Sequence, residues 1–160
     1  MGPTIRPATS DDDLEAIRLL FREYADSLGF DLSFQNFDRD FLELPGPYAP
    51  PSGCLLLATR EAEPVGCAAL KRLAEGIGEM KRLYVRPSAR GTGLGRALAE
   101  QIVREAERSG YETLRLDTIP DRMGRAVELY RALGFREIPA YYFNPIPGAL
   151  FMELQLAKKL

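Results

Sequence analysis

Along the first thirty residues the apolar positions fall on a helical repeat. Leu14, Ile17, Leu20, Phe21, Tyr24 and Leu28 share one face and predict a helix with one buried side. Ser10 is placed to cap it, Asp11, Asp12 and Asp13 suit the positive end of its dipole, and Gly29 stops it. A short strand around Ile5, closed by Pro7, precedes it. "LSFQNFDRDFLEL" predicts a second, shorter helix capped by Ser33, with Phe34, Phe37 and Phe41 on one side. Prolines at 45, 47, 50 and 51 remove backbone donors, so residues 45–53 read as a stiff loop.

From Cys54 the pattern changes to strands. "CLLLATR", "VGCAALKRL" and "EMKRLYV" are separated by turns at "EAEP" and "EGIG". A glycine-rich loop follows, then a helix of about sixteen residues with Leu94, Leu98, Ile102 and Ala106 inward, ended by Gly110. Next come a strand, "TLRLDTI", and a helix containing "AVELYRAL" that stops at Gly134. The last two strands lie around "FREIPAYY" and "ALFMELQL" and flank "FNPIPG". The order βααβββαβαββ predicts a single mixed α/β (α+β) domain over residues 1–160, its sheet mainly antiparallel and flanked by about four helices. Strand, glycine loop, helix and strand form its one parallel crossover.

Composition narrows the function. The chain has 160 residues, 46% of them hydrophobic, enough to build a core without metals or disulfides. Twenty-one basic and 23 acidic residues leave a net charge of −2, which argues against nucleic acid or an anionic membrane as partner. Cys54 and Cys67 form no C-x-x-C pair and lie in apolar runs, so they read as buried, reduced thiols. Without a secretory apolar stretch or a membrane-length run, the expected location is the cytoplasm. There is no histidine, which removes Ser-His-Asp and Cys-His hydrolysis and the usual zinc sites. No metal is expected, and proton transfer falls to Glu, Asp, Tyr, Lys, a thiol or water.

The strongest local signal is "VRPSARGTGLGRALAEQIVREAE", residues 85–107. Glycines at 91, 93 and 95 permit positive φ and leave no Cβ to hold a ligand off the backbone. Their amides, with the start of the following helix, can converge on a phosphate. The dinucleotide pattern G-x-G-x-x-G fails because Arg96 stands at the third glycine. The G-x-x-x-x-G-K-[ST] loop fails for want of its lysine. A different phosphate ligand is implied, with Arg86, Arg90, Arg96 and Arg125 as the local positive field.

"RGTGLG" resembles the Q/R-x-x-G-x-G/A motif of the GNAT superfamily of acyl-CoA-dependent N-acetyltransferases, and "AVELYRALGF" resembles its second signature, A-x-x-L-Y-x-x-x-G-F. The resemblance implies acetyl-CoA as co-substrate. Its pyrophosphate would lie on Arg90, Gly91, Thr92, Gly93, Leu94, Gly95 and Arg96, and its pantetheine along a splayed strand at Leu83 and Val85. Tyr130 matches the tyrosine that gives a proton to the departing thiolate; its helical spacing with Ala126, Leu129 and Leu133 also fits a core position. Met123 stands where many members carry Asn.

An alkylamine with pKa near ~10 must lose a proton before it attacks a thioester. Glu79, eleven residues before Arg90, stands where the family often carries a general base, and nothing histidine-like competes for that role; the other reading is a strand-end charge paired with a neighbouring cation. Strand alternation predicts Glu79, Lys81, Leu83 and Val85 on one face and Met80, Arg82 and Tyr84 on the other. The expected activity is direct transfer of acetyl to a primary amine, on a small molecule or a peptide. A homodimer is compatible with it. The alternative is a non-catalytic acyl-CoA sensor of the same fold. Candidate acceptor lining comes from Tyr24, Phe30, Phe34, Phe37, Asp38, Asp40, Tyr48, Tyr141, Tyr142, Phe143 and Asn144.

Overall fold

The computed structural model describes residues 2–28 and 42–156, and of residues 120–124 the backbone only. Strand β1 (Thr4–Pro7) leads into helix α1 (Asp11–Leu28), and the meander β2 (Cys54–Arg60), β3 (Glu63–Ala74) and β4 (Ile77–Val85) follows. Helix α2 (Leu94–Arg108), strand β5 (Thr113–Thr118), helix α3 (Pro120–Ala132), and strands β6 (Arg136–Ile138) and β7 (Leu150–Gln155) complete the order. The seven strands form one sheet in the order β1-β2-β3-β4-β5-β7-β6. Every pairing is antiparallel except β4 with β5, as the crossover through α2 requires. Three α-helices occur among the described residues; the helix expected after Ser33 lies outside them, as do Gly29, Phe30, Phe34, Phe37, Asp38, Asp40 and Phe41.

Local chemistry sets the elements. The Ser10 hydroxyl accepts the Asp13 amide at 3.1 Å, while the Asp13 carboxylate accepts the Ser10 and Thr9 amides at 3.3 and 3.0 Å and two bonds from the Arg6 guanidinium at 2.7 Å. This reciprocal cap starts α1 and ties it to β1. Those donors hold the Asp13 carboxyl far below the usual carboxylate range, the Arg6 bond contributing most. The β2–β3 turn places Glu61 and Ala62 at φ 52° and 67°. The twist of a two-residue hairpin favours that conformation.

The central strands are apolar on both faces. Leu56, Ala58, Ala68, Leu70 and Met80 join Leu94, Leu98 and Ile102 of α2 in one core. Leu55, Leu57, Cys67 and Ala69 join Ile17, Leu20 and Phe21 of α1 in the other. One sheet thus separates α1 from α2 and α3. Cys54 and Cys67 are buried free thiols, and burial pushes the Cys54 thiol up to about 11. Tyr48, a candidate for acceptor lining, is instead fully buried against Phe21, their rings 6.2 Å apart edge to face.

Candidate functional site

The glycine loop joins β4 to α2. Gly91 and Gly93 hold φ 79° and 82°, a region that strains any residue with a Cβ. A Cβ at either would meet no protein atom within 4 Å, so the space in front of the loop is open. Gly93 caps α2, and the first intrahelical bond runs from the Ala97 amide to the Gly93 carbonyl at 3.0 Å. The amides of Leu94, Gly95 and Arg96 therefore precede the helical ladder and point with the positive end of the dipole.

In front of these amides lies a cleft of about 590 Å³. Leu83, Val85, Arg90, Gly91, Gly93, Leu94 and Gly95 line it. The side chains of Thr92 and Arg96 go elsewhere: the Thr92 hydroxyl donates to the Ala89 carbonyl at 2.6 Å, and Arg96 Nε donates to Glu100 at 2.8 Å. The opposite wall comes from Tyr24, Ser27 and Leu28 of α1 and from Arg125, Ala126 and Leu129 of α3. Among these, Arg125 was expected in the phosphate field, Tyr24 in the acceptor lining, and Ala126 and Leu129 on the face of the second signature helix; Ser27 carried no signal in the sequence. Arg86 is also used differently from its expected part in a phosphate field. Its Nη2 and Nε donate to Glu23 at 2.6 and 2.9 Å, and its Nη1 to the Pro64 carbonyl at 2.7 Å. The guanidinium holds the Glu23 carboxyl below its ordinary range and anchors α1 to the end of β4.

Strand β4 changes character along its length. Its N-terminal part pairs with β5 at Ile77↔Thr113, Gly78↔Leu114 and Glu79↔Arg115, and there the pairing ends. Beyond Glu79 β4 has no pairing with β5, so its edge beside the cleft lacks a strand partner; at its end the Val85 carbonyl accepts Arg90 Nε at 3.1 Å. In the same stretch the β3–β4 register shifts: Cys67 and Ala69 stand opposite Tyr84 and Lys81, so β4 carries one extra residue. Arg82 absorbs it at φ 59°. The bulge overturns the expected alternation. Met80, Leu83 and Val85 now share the α2 side, whereas Tyr84 joins the core under α1.

On the sheet face toward α1, the paired part of β4 lies in a row of charges. Lys71, Glu79, Arg115, Glu153 and Arg136 occupy consecutive register positions across β3, β4, β5, β7 and β6. Arg115 Nε donates to Glu153 at 2.8 Å, and Lys71 Nζ stands 4.0 Å from Glu79. Glu79 is 3% exposed and accepts the Tyr141 hydroxyl at 2.6 Å. Where backbone pairing has stopped, side chains still reach across: Lys81 Nζ lies 3.4 Å from Asp117 Oδ1, both side chains buried. Asp117 also accepts the Tyr142 hydroxyl and, at 3.0 Å, the Asn144 amide. Tyr141 and Tyr142 stack about Phe151 with ring centroids 5.0 and 5.3 Å away. Three of the candidate acceptor residues thus hold carboxylates of the sheet, while Phe143 is exposed. Burial, then the Glu79 charge, pushes the Tyr141 phenol far above its ordinary range.

Between this polar wall and the cleft lies an inner cavity of about 20 Å³, bounded by Tyr24, Met80, Lys81, Arg82, Leu83, Leu116, Asp117, Thr118 and Tyr130. Tyr130 is 4% exposed, its ring 5.7 Å from Phe135, so it is a core side chain that also faces this cavity. Burial raises its phenol well above the ordinary value, with Tyr24 and Asp117 adding to the shift. It is protonated at every physiological pH. Asp117 is the residue that sequence reasoning missed. In TLRLDT it stands at one of the alternating polar positions, as Thr113 and Arg115 do, which marks a strand face and no partner.

A family model described as the acetyltransferase (GNAT) family matches residues 14–135. An uncharacterized N-acetyltransferase of Schizosaccharomyces pombe is 40% identical over 148 residues, covering 91% of this chain and 90% of its own. An IAA acetyltransferase of Azospirillum brasilense is 41% identical over 110 residues, covering 68% of this chain and 71% of its own. The crystal structure of the PaiA N-acetyltransferase of Thermoplasma acidophilum, in complex with coenzyme A, shares the fold with TM-score 0.74 at 20% identity, covering 97% of this chain and 99% of that one.

Proposed function

The chain belongs to the GNAT acetyltransferase family and is an acyltransferase; from that premise we propose that it moves acetyl from acetyl-CoA to a primary amine by direct attack in a ternary complex. The observation that carries this reading is the cleft between the glycine loop and the open edge of β4, where pairing with β5 stops at Glu79. It fits the co-substrate in kind. Gly91 and Gly93 leave space that a Cβ would fill, the amides of Leu94, Gly95 and Arg96 and the side chains of Arg90 and Arg125 suit a pyrophosphate, and the strand edge offers Leu83 and Val85 to an amide-bearing arm. In the wider positions expected of the loop, Thr92 would contribute its backbone and Arg96 its amide.

Bound acetyl-CoA supplies an activated thioester. The loop holds the charged end, and the edge of β4 orients the chain toward the inner cavity. Glu79 takes the proton of the attacking amine. Tyr141, half-buried and donating to Glu79, relays it: its own proton passes to Glu79 as its oxygen accepts the amine's. Tyr130 faces the cavity in its protonated form and donates to the departing sulfur. The acceptor is a small-molecule or peptide amine.

Calorimetric titration with acetyl-CoA, CoA, ATP and NAD tests the cleft, and thiol release over a panel of amines, amino acids, polyamines and peptides tests the transfer. Binding of the CoA species alone, with release that depends on one acceptor class, is expected. CoA binding with no acceptor-dependent release across the panel would favour a non-catalytic sensor. Binding of ATP or NAD in preference to CoA would overturn the reading.

A further inference from the structure

Tyr24 is the residue of α1 that reaches both spaces. It lines the cofactor cleft and, with Leu83, also bounds the inner cavity, so the two meet at its ring. Tyr130 bounds the inner cavity alone. Tyr24 is half-buried and its ring packs edge to face on Tyr84 at 6.4 Å. The bulge residue also reaches it: Arg82 Cζ lies 6.0 Å from the ring centroid, in cation–π range. Tyr24 and Leu83, which both spaces share, thus stand between the cleft and Tyr130. The inner cavity, about 20 Å³, has room for a group the size of a water molecule or a sulfur atom.

We propose that Tyr24 is a second donor to the coenzyme A sulfur, and that the bulge places the Arg82 guanidinium against it. The inference rests on the acetyl-transfer reading above. As the C–N bond forms and the C–S bond breaks, the bonding pair stays on sulfur. Both hydroxyls donate hydrogen bonds to that sulfur but only one proton moves: it comes from Tyr24, Tyr130 keeping its own, and the phenolate left behind is held by Arg82 until solvent returns a proton; nothing is oxidised or reduced. The groups acting on Tyr24 are Arg82, Asp117 and Cys67. Burial pushes its phenol up to about 12, and Arg82 opposes that rise. Tyr130 has no cation among the groups that shift it, whereas at Tyr24 the Arg82 guanidinium favours loss of the proton. Without the bulge, strict alternation would turn Leu83 toward α1 and leave no cation under the ring.

The test uses CoA itself and needs no acceptor. The thiol of bound CoA is titrated through the ultraviolet absorbance of its thiolate, on the parent, Tyr24→Phe, Tyr130→Phe and Arg82→Met, with calorimetric CoA affinity measured on each. A hydroxyl that donates to sulfur stabilises the thiolate, so Tyr24→Phe should raise the bound thiol's pKa by about one, roughly tenfold less thiolate at a given pH, with affinity nearly unchanged. Arg82→Met should raise it in the same direction. An unmoved pKa in Tyr24→Phe, with CoA still bound, overturns the assignment and leaves the transfer reading intact. Failure of the parent to bind CoA overturns both. Since Phe preserves the ring packing on Tyr84, loss of binding confined to Tyr24→Phe would make the hydroxyl a structural group and also overturn it.

Discussion

The cofactor cleft and the polar wall adjoin on the same strand, yet they are built by opposite means. The cleft is drawn mainly from one continuous segment, residues 83–96, and works through backbone: two glycines at positive φ, the free end of a helix and an unpaired strand edge. The wall works through side chains brought together from far apart, as in Tyr141 on Glu79 and Tyr142 on Asp117. Backbone sites tolerate changes of side chain until one intrudes. A buried charge network tolerates almost none, because each removal strands a partner.

The sharpest break in this comparison comes from Asp117→Asn. It leaves the buried Lys81 ammonium without its counter-charge, at a cost of about 3 kcal/mol. Chemical denaturation should show that loss while CoA affinity stays near the parent's. A large fall in affinity with stability intact would move Asp117 from the wall to the cleft.

Glu79→Gln probes the wall's chemistry. Thiol release with an active acceptor should fall roughly 10²-fold near neutral pH, where neutral amine is scarce. The deficit should shrink as pH approaches the acceptor's own pKa, because solvent then supplies the deprotonated amine. A deficit constant with pH would assign Glu79 to the charge row alone.

For the cleft, Gly95→Leu separates fold from binding. Gly95 sits in the first turn of α2 without positive φ, and a Cβ there would meet Val85 at an ordinary 3.7 Å. Replacing glycine in a helix should raise stability by up to about 1 kcal/mol. The same side chain fills the space before the amides, and CoA affinity should drop roughly 30-fold, about 2 kcal/mol. Equal affinity would remove the loop from the site.

The smallest effect lies remote from both regions and serves as their control. Asp13→Asn weakens the α1 cap by about 1 kcal/mol and should leave CoA binding unchanged. The folded carboxyl lies below its ordinary value of 3.8, so its contribution is complete above that pH and is lost as pH falls through the folded pKa. The acid limb of thermal stability should therefore flatten in the variant below about pH 4. Parallel acid limbs would show that the Arg6 pair contributes nothing.

What the sequence determined by itself was everything set by near neighbours. Helix α1 with its Ser10 cap, α2 beginning at Gly93 with Leu94, Leu98, Ile102 and Ala106 inward, and the β2–β3–β4 meander were all legible, because periodicity, capping and turn chemistry act within a few residues. The family was legible for the same reason, its signatures being short and continuous. Only the tertiary structure decided the rest. Nothing in "EMKRLYV" marks Arg82 as the left-handed residue; the bulge arises from how β4 must match β3 on one side while leaving β5 on the other. Arg86 looked like a phosphate ligand until α1 brought Glu23 to it. Asp117 and Tyr24 carry meaning only once β7 places residues 141–144 over the sheet and α1 crosses the diverging strands. Hydrogen-bond partners sixty residues apart leave no period to read, because the fold alone fixes which side chains meet.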